Sequence, residues 1–373
     1  MVVYMANQNN GLGLKQIMLK GRGALSNPHN RYQAMQVEWD DGIEGPTPVT
    51  ECRPVAARSI IARNTSPDIP FDQSINPYQG CEHGCIYCYA RPSHAYLDLS
   101  PGTDFETKLT CKVNAAEQLR RELASSRYRC SPITLGANTD PYQPVEKQLC
   151  ITRDILAVLH RCRHPVSIVT KGALITRDID ILADMARDDL CSVAISITTL
   201  DAGLKRTMEP RAASHQARLA AIESLSEAGI PVAVLFAPAI PALNDCEMES
   251  ILREARDAGA QAAAYILLRL PLEVRDLFHQ WLEQHYPLKA QHVISLLRHS
   301  RGGTDNDSRF GHRMRGTGTF AQLLEQRFRI ACHRLGLNQR ETSRLRTDLF
   351  VRPPHPGKGG DKAGDRHQLE MFE

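Results

Sequence analysis

Aromatic residues make up only 6% of this 373-residue chain, and two of them are tryptophan. No apolar run approaches the roughly 20 residues needed to cross a bilayer, which excludes a membrane-spanning helix. The N-terminus lacks a basic patch leading into an apolar core and a small-residue cleavage site. No secretory signal is therefore expected, and the chain reads as cytoplasmic. A disulfide framework is excluded on similar grounds, because the eleven cysteines are odd in number and the chain is long. Eight of them are scattered (Cys52, Cys111, Cys130, Cys150, Cys162, Cys191, Cys246 and Cys332) and are expected to behave as small buried hydrophobes. No Gly-Lys-Ser/Thr follows the glycine-rich stretch 301–318, so it is not a P-loop. There is no internal sequence repeat, and net charge is only +3.

What is present is a regular alternation. Short β-branched or apolar runs occur at 132–137, 166–170, 192–197, 231–236 and 262–268, with a further strand near 73–78. Between them lie helical periodicities at 113–123, 153–162, 178–186, 215–229 and 247–259. The last two end in Ala-Gly, as a left-handed C-terminal cap predicts. Strand–helix alternation implies a parallel sheet with right-handed crossovers. Six units are too few for a closed eightfold barrel and predict an α/β fold built as a partial (β/α)6 TIM-type barrel. A doubly wound sheet is the alternative, and in both the chemistry belongs at the C-terminal ends of the strands. The expected organisation is an irregular N-terminal extension over 1–70, a core over 71–288, a basic helical region over 289–352 and a disordered tail over 353–373. From residue 289 onward sixteen Lys/Arg stand against nine Asp/Glu. That excess, with Arg298, Arg301, Arg309, Arg313 and Arg315 around a glycine-rich loop, suits either a solvated surface or a phosphodiester backbone.

The segment 76-NPYQGCEHGCIYCYARPSHAY-96 carries the chemistry. Cys81, Cys85 and Cys88 follow the first strand with the spacing C-x3-C-x2-C, and thiolates bind iron–sulfur clusters or zinc. Three ligands on one tight loop, with Gly80 and Gly84 letting the backbone fold round them, leave a four-iron cube with one open iron. Zinc would need a fourth ligand, for which His83 and His94 are candidates.

With Tyr87 as the aromatic, C-x3-C-x-aromatic-C at the first strand of such a chain resembles the radical S-adenosylmethionine (SAM) superfamily. The resemblance covers roughly residues 70–290. It implies a [4Fe-4S] cluster on Cys81, Cys85 and Cys88, SAM on the open iron, a 5′-deoxyadenosyl radical and a flavodoxin- or ferredoxin-like electron donor. It also implies that Thr139 and Asp140, in 136-GANTDPYQPVE-146, lie near the SAM amino group, and that Ser196 contacts the ribose. Lys171 or Arg211 would take the SAM carboxylate, and both remain open. Pro238 and Ile240 would form an apolar wall for adenine. TDPYQPVE, TKGALITRDIDIL, SITTLD, MEPRA and P-x-I-P-x-L-N-D together are similar to the group related to spore photoproduct lyase, which implies a nucleic-acid or nucleotide-like substrate. One departure counts against repair of that lyase's lesion by its own route: where the lyase has a hydrogen-donating cysteine, this chain has Ala137 and Asn138. The alternatives are radical chemistry on a peptide or small metabolite, or a zinc- or cluster-stabilised binding protein without catalysis.

Overall fold

The computed structural model describes residues 3–5, 21–28, 30–32, 35–37, 49–339 and 345–354. The tail expected from residue 353 lies, from 355 onward, outside the described residues. Six parallel strands form the sheet: β1 (Gln73–Ile75), β2 (Ile133–Leu135), β3 (Val166–Thr170), β4 (Cys191–Ser196), β5 (Val232–Ala239) and β6 (Ala262–Leu267). They follow one another in chain order without a reversal, and an antiparallel strand, Ile61–Arg63, adds to the β1 edge. A doubly wound sheet would reverse its order at a switch point, so that alternative is excluded.

Helices follow the strands: α1 (Ala115–Ala124), α2 (Ile151–Arg161), α3 (Ile179–Ala186), α4 (His215–Glu227) and α5 (Met248–Asp257). Local sequence sets their limits. Ser214 caps α4 by accepting from the Ala217 N–H at 3.2 Å, satisfying a donor the first turn leaves open. Gly229 and Gly259 follow α4 and α5 at φ +77° and +105°, a conformation that costs a residue with a Cβ. Strand residues such as Ile75, Leu135, Val166, Val193 and Val234 and helix residues such as Leu156 and Ile251 bury together in one core.

Beyond β6 come α6 (Glu273–His285), α7 (Pro287–His299) and α8 (Gly318–Leu335). A second apolar cluster joins Phe278 and Trp281 of α6 and Leu297 of α7 to Cys85, Ile86 and Tyr87 of the cysteine loop. The extension expected to be irregular is partly built. Glu51–Val55 pairs parallel with Lys108–Lys112, and Val3–Met5 pairs antiparallel with Met35–Val37. The expectation that no disulfide forms is corrected at one place: Cys52 and Cys111 sit on that parallel pair and are bonded. Cys246 is exposed rather than buried.

Candidate active site

The cysteine loop leaves the sheet at the C-terminal end of β1. Gly80 turns at φ +79°, where a Cβ would stand 2.9 Å from the Phe105 carbonyl oxygen, so only glycine fits. The Cys81 N–H then donates to the same oxygen (2.9 Å), Ile86 N–H to Met208 O (3.0 Å), and Cys88 N–H to Cys85 O (3.2 Å). Cys81 and Cys85 are buried, Cys88 is half-buried, and all three thiols are free. Burial raises the Cys81 thiol first, and Asp140, Cys85 and Cys88 add to it; burial and Glu209 push Cys85 up to about 12. Three free sulfurs gathered in one buried loop, each disfavouring charge on its neighbours, fit a group that brings positive charge and takes one thiolate per metal corner. Among the described residues no set of three His, Cys, Asp or Glu side chains is arranged to hold a single metal ion.

The loop rests on a segment that lies far away in sequence. Glu106 is fully buried and accepts from Gly23 N–H (3.0 Å), Ala24 N–H (2.8 Å) and Arg91 Nη2 (2.6 Å). Arg91 donates in turn to Cys85 O (2.9 Å) and Gly102 O (2.9 Å). Gly23 passes so close beneath Gly84 that a Cβ would fall 1.7 Å from its carbonyl oxygen. Residues 22–25 thus form a strap under the cysteines.

Across from the loop, Glu209 is buried and takes four contacts from cations and hydroxyls. Tyr87 and Arg218 donate to it directly, Thr198 Oγ1 lies at 2.5 Å, and Lys171 adds its charge. Burial opposes ionisation, but Arg218, Lys171 and the hydroxyls outweigh it and hold the carboxyl at about 2. Lys171 Nζ lies 5.7 Å from the centre of the Tyr87 ring. The structure therefore brings Lys171, Tyr87 and the three cysteines together.

Asp140 occupies the floor of the site. Its carboxylate accepts from Thr170 Oγ1 (2.6 Å) and the Lys171 N–H (2.7 Å), and it lies 3.3 Å from His83 Nδ1. Burial works against its charge, yet His83, Thr170 and that N–H hold it at about 2. The Thr139 hydroxyl donates to Tyr78 O at 2.7 Å. Gln143 ties the turn to the loop by accepting from Glu82 N–H (2.9 Å) and donating to Gly80 O (3.3 Å). Beneath it Glu146 accepts from Tyr78 and from Arg177 Nη2 (2.7 Å), and Asp178 accepts from Tyr142 (3.1 Å). TDPYQPVE and the TRD of the next loop are thus one bracing network.

The other sequence-derived candidates lie at different places. Ser196 Oγ donates to Ala237 O at 3.1 Å, linking β4 to β5. Arg211 pairs with Glu82 at 2.8 Å and its side chain is partly exposed. Ile240 is buried in the second apolar cluster, and Asn244 clamps its loop by donating to Thr198 O (2.8 Å) and Pro238 O (3.0 Å). The five C-terminal arginines are already engaged. Arg298 pairs with Asp305, Arg309 with Asp307, Arg313 with Asp68 and Arg315 with Glu325. Arg301 is buried and donates to the carbonyls of Leu267, Leu268, His312 and Arg313, pinning the glycine-rich loop over the end of β6. Three of these arginines, Arg298, Arg309 and Arg315, keep side chains at least half exposed despite their partners.

Sequence reasoning missed Glu106, Arg91, Arg218 and Arg269. Arg218 lies in α4, whose sequence has no clear apolar face to mark which of its residues are buried, so an arginine there looks like surface. Arg269 stands two residues past β6, at the strand end where site residues were sought elsewhere, and that position was the available signal.

The family model of the Radical SAM superfamily matches residues 75–255. The protein Rv2578c of Mycobacterium tuberculosis is 39% identical over 232 residues, covering 62% of this chain and 68% of its own. MJ0683 of Methanocaldococcus jannaschii is 30% identical over 221 residues, covering 59% and 78%. Among solved structures, spore photoproduct lyase complexed with dinucleoside spore photoproduct superposes with a TM-score of 0.55 at 16% identity, covering 77% of this chain and 80% of that one. The likeness is one of fold.

Proposed function

The chain belongs to the radical SAM superfamily and is an enzyme, and from that premise we propose that Cys81, Cys85 and Cys88 hold a [4Fe-4S] cluster whose open iron takes SAM. When bound, this pair supplies a 5′-deoxyadenosyl radical for hydrogen abstraction. Three free cysteines on one loop, two of them buried, beside Lys171 carry the reading. Lys171 faces the cysteines and takes the SAM carboxylate, whereas Arg211 is held by Glu82. Asp140 acts through others, fixing the Lys171 backbone and His83, and Thr139 holds the strand leading into the loop. Ser196 sets the spacing of β4 and β5, at the strand end that would meet the ribose. Buried Glu209 keeps Tyr87 and Arg218 in place.

The sheet is a partial barrel, with residues 71–288 as its core. Supporting this, Tyr89 donates to Ala137 O beyond β2 while its ring lies 5.7 Å from Arg269 beyond β6. Strands far apart in the sheet order are thereby brought face to face. The substrate is a nucleic acid or nucleotide-like molecule, a reading supported by the fold shared with a lyase solved with a dinucleoside photoproduct. A flavodoxin- or ferredoxin-like donor in the cytoplasm supplies the electron.

Anaerobic reconstitution with iron and sulfide tests this. We expect about four irons per chain and 5′-deoxyadenosine on addition of SAM and dithionite. Cys85→Ala removes both, and Cys246→Ala, at an exposed site, retains both. Stoichiometric zinc with no deoxyadenosine overturns the proposal.

A further inference from the structure

Arg269 sits just past β6, at the mouth of the sheet. Its guanidinium is packed among groups that give it little. Nε is buried with no hydrogen-bond partner, and Nη1 reaches only the Met314 sulfur at 3.6 Å. Its Cζ lies over the Tyr89 ring, 5.7 Å from the centre, and Tyr89 directly follows Cys88, the third cysteine of the loop. Among the described residues no carboxylate pairs with it, whereas neighbouring Arg313 holds Asp68 with two hydrogen bonds of 2.7 and 2.5 Å. Burial and the charge of Arg313 both press against the protonated form. A half-buried cation beside a second cation, with a donor left over, is costly unless an anion completes it.

We infer that Arg269 is the anchor for an oxyanion of the substrate, carried as a backbone phosphate of a nucleic-acid strand. The planar guanidinium of arginine matches such a group through its outer Nη donors, and the charge that the phosphate brings offsets the cost of the partnerless Nε behind them. The surroundings favour phosphate over carboxylate. Tyr89, against Arg269, is 47% exposed, and Phe310, whose ring centre lies 4.8 Å from neighbouring Arg313, is 55% exposed. Exposed aromatic rings beside these two cations offer stacking surfaces for bases next to the anchored phosphate. The inference rests on the proposed radical reading only for what happens to the strand afterwards; the anchor itself is a binding site.

The test uses the reconstituted full chain and a fluorescein-labelled single-stranded oligodeoxynucleotide, read by anisotropy over a range of salt. Arg269→Gln weakens binding about tenfold or more, as loss of one charge-assisted contact predicts. It also lowers the slope of log Kd against log salt by roughly 0.7, the signature of one lost phosphate contact on a single strand. Arg269→Lys recovers part of the affinity. Arg315→Gln, which removes the same charge from an exposed pair with Glu325, changes binding less than twofold. Iron content equal to wild type shows that Arg269→Gln is folded. If wild type binds no oligonucleotide, if Arg269→Gln and wild type share one affinity and slope, or if a labelled oligoglutamate of matched charge binds better, the anchor is overturned. Wild-type protein that forms no 5′-deoxyadenosine while Arg269→Gln still loses oligonucleotide binding would sink the radical reading and leave the anchor standing.

Discussion

At the C-terminal ends of the strands Glu209 is ionised among Arg218, Thr198 and Tyr87. At the N-terminal ends His164 is buried and neutral, 2.6 Å from the Tyr128 hydroxyl and 2.9 Å from Pro165 O, with the Phe350 ring edge-on at 5.3 Å. Gln73, the first residue of β1, completes this lower cluster at 2.8 Å from Tyr128. Both ends bury polar groups under the same sheet, yet one keeps full charges and the other avoids them. Paired charges fix a geometry stiffly, as the proposed cofactor site would require. A neutral network is enough where the task is to close a core.

The sharpest way to break this comparison is to remove one charge at the upper end. Glu209→Ala leaves Arg218, which is 2% exposed, without its counter-ion. Stranding a buried charge costs about 3–5 kcal/mol, and urea unfolding should show a loss of that size. A loss below 1 kcal/mol would mean that the upper charges are solvated and that the two ends do not differ.

Acid should separate the ends in a fixed order. His164 is held at about 4 by burial, against an ordinary value of 6.5. Because its folded value is depressed, its contribution is complete above pH 6.5 and is lost as pH falls through 4. The expected loss between pH 6.5 and 5 is on the order of 2 kcal/mol. Glu209, an acid held at about 2 against 4.5, keeps its contribution until pH falls below 4.5. Wild type should therefore soften from the lower end first, and His164→Gln should flatten the profile above pH 5. The same slope in that variant would place the titrating group elsewhere. Tyr128→Phe, which unties His164 and Gln73 without a change of charge, should cost about 1–3 kcal/mol at neutral pH.

How much of this could be read from the sequence follows from distance along the chain. Cys81, Cys85 and Cys88 lie within eight residues, and Lys171 and Ser196 stand at strand ends that the alternation already marks, so local pattern located them. Glu106 could not be found that way, because its partners Gly23 and Ala24 are 83 and 82 residues off and it sits in a four-residue helix without periodicity. The basic C-terminal region left two readings open for the same reason. Counting charges does not show that Arg313 is matched by Asp68, 245 residues earlier. Asp140 was located at a strand end, but its ties to Thr170, the Lys171 N–H and His83 were not legible, because they join residues up to 57 positions apart.

The smallest expected effect lies on the surface and bears on that point. Arg315 and Glu325 are 2.7 Å apart, and both side chains are more than half exposed. Solvent screens such a pair, which contributes about 0.2–1 kcal/mol at most and less as salt rises. Arg313 differs in kind: its side chain is 14% exposed, Asp68 is 11% exposed, and the pair joins the loop beyond β6 to the loop before β1. Arg315→Ala should therefore leave the urea midpoint nearly unchanged, while Arg313→Ala should lower it clearly at the same salt. If both substitutions have equal, salt-sensitive effects, Arg313 is a surface charge as well, and the basic excess reverts to the solvated face that composition alone describes.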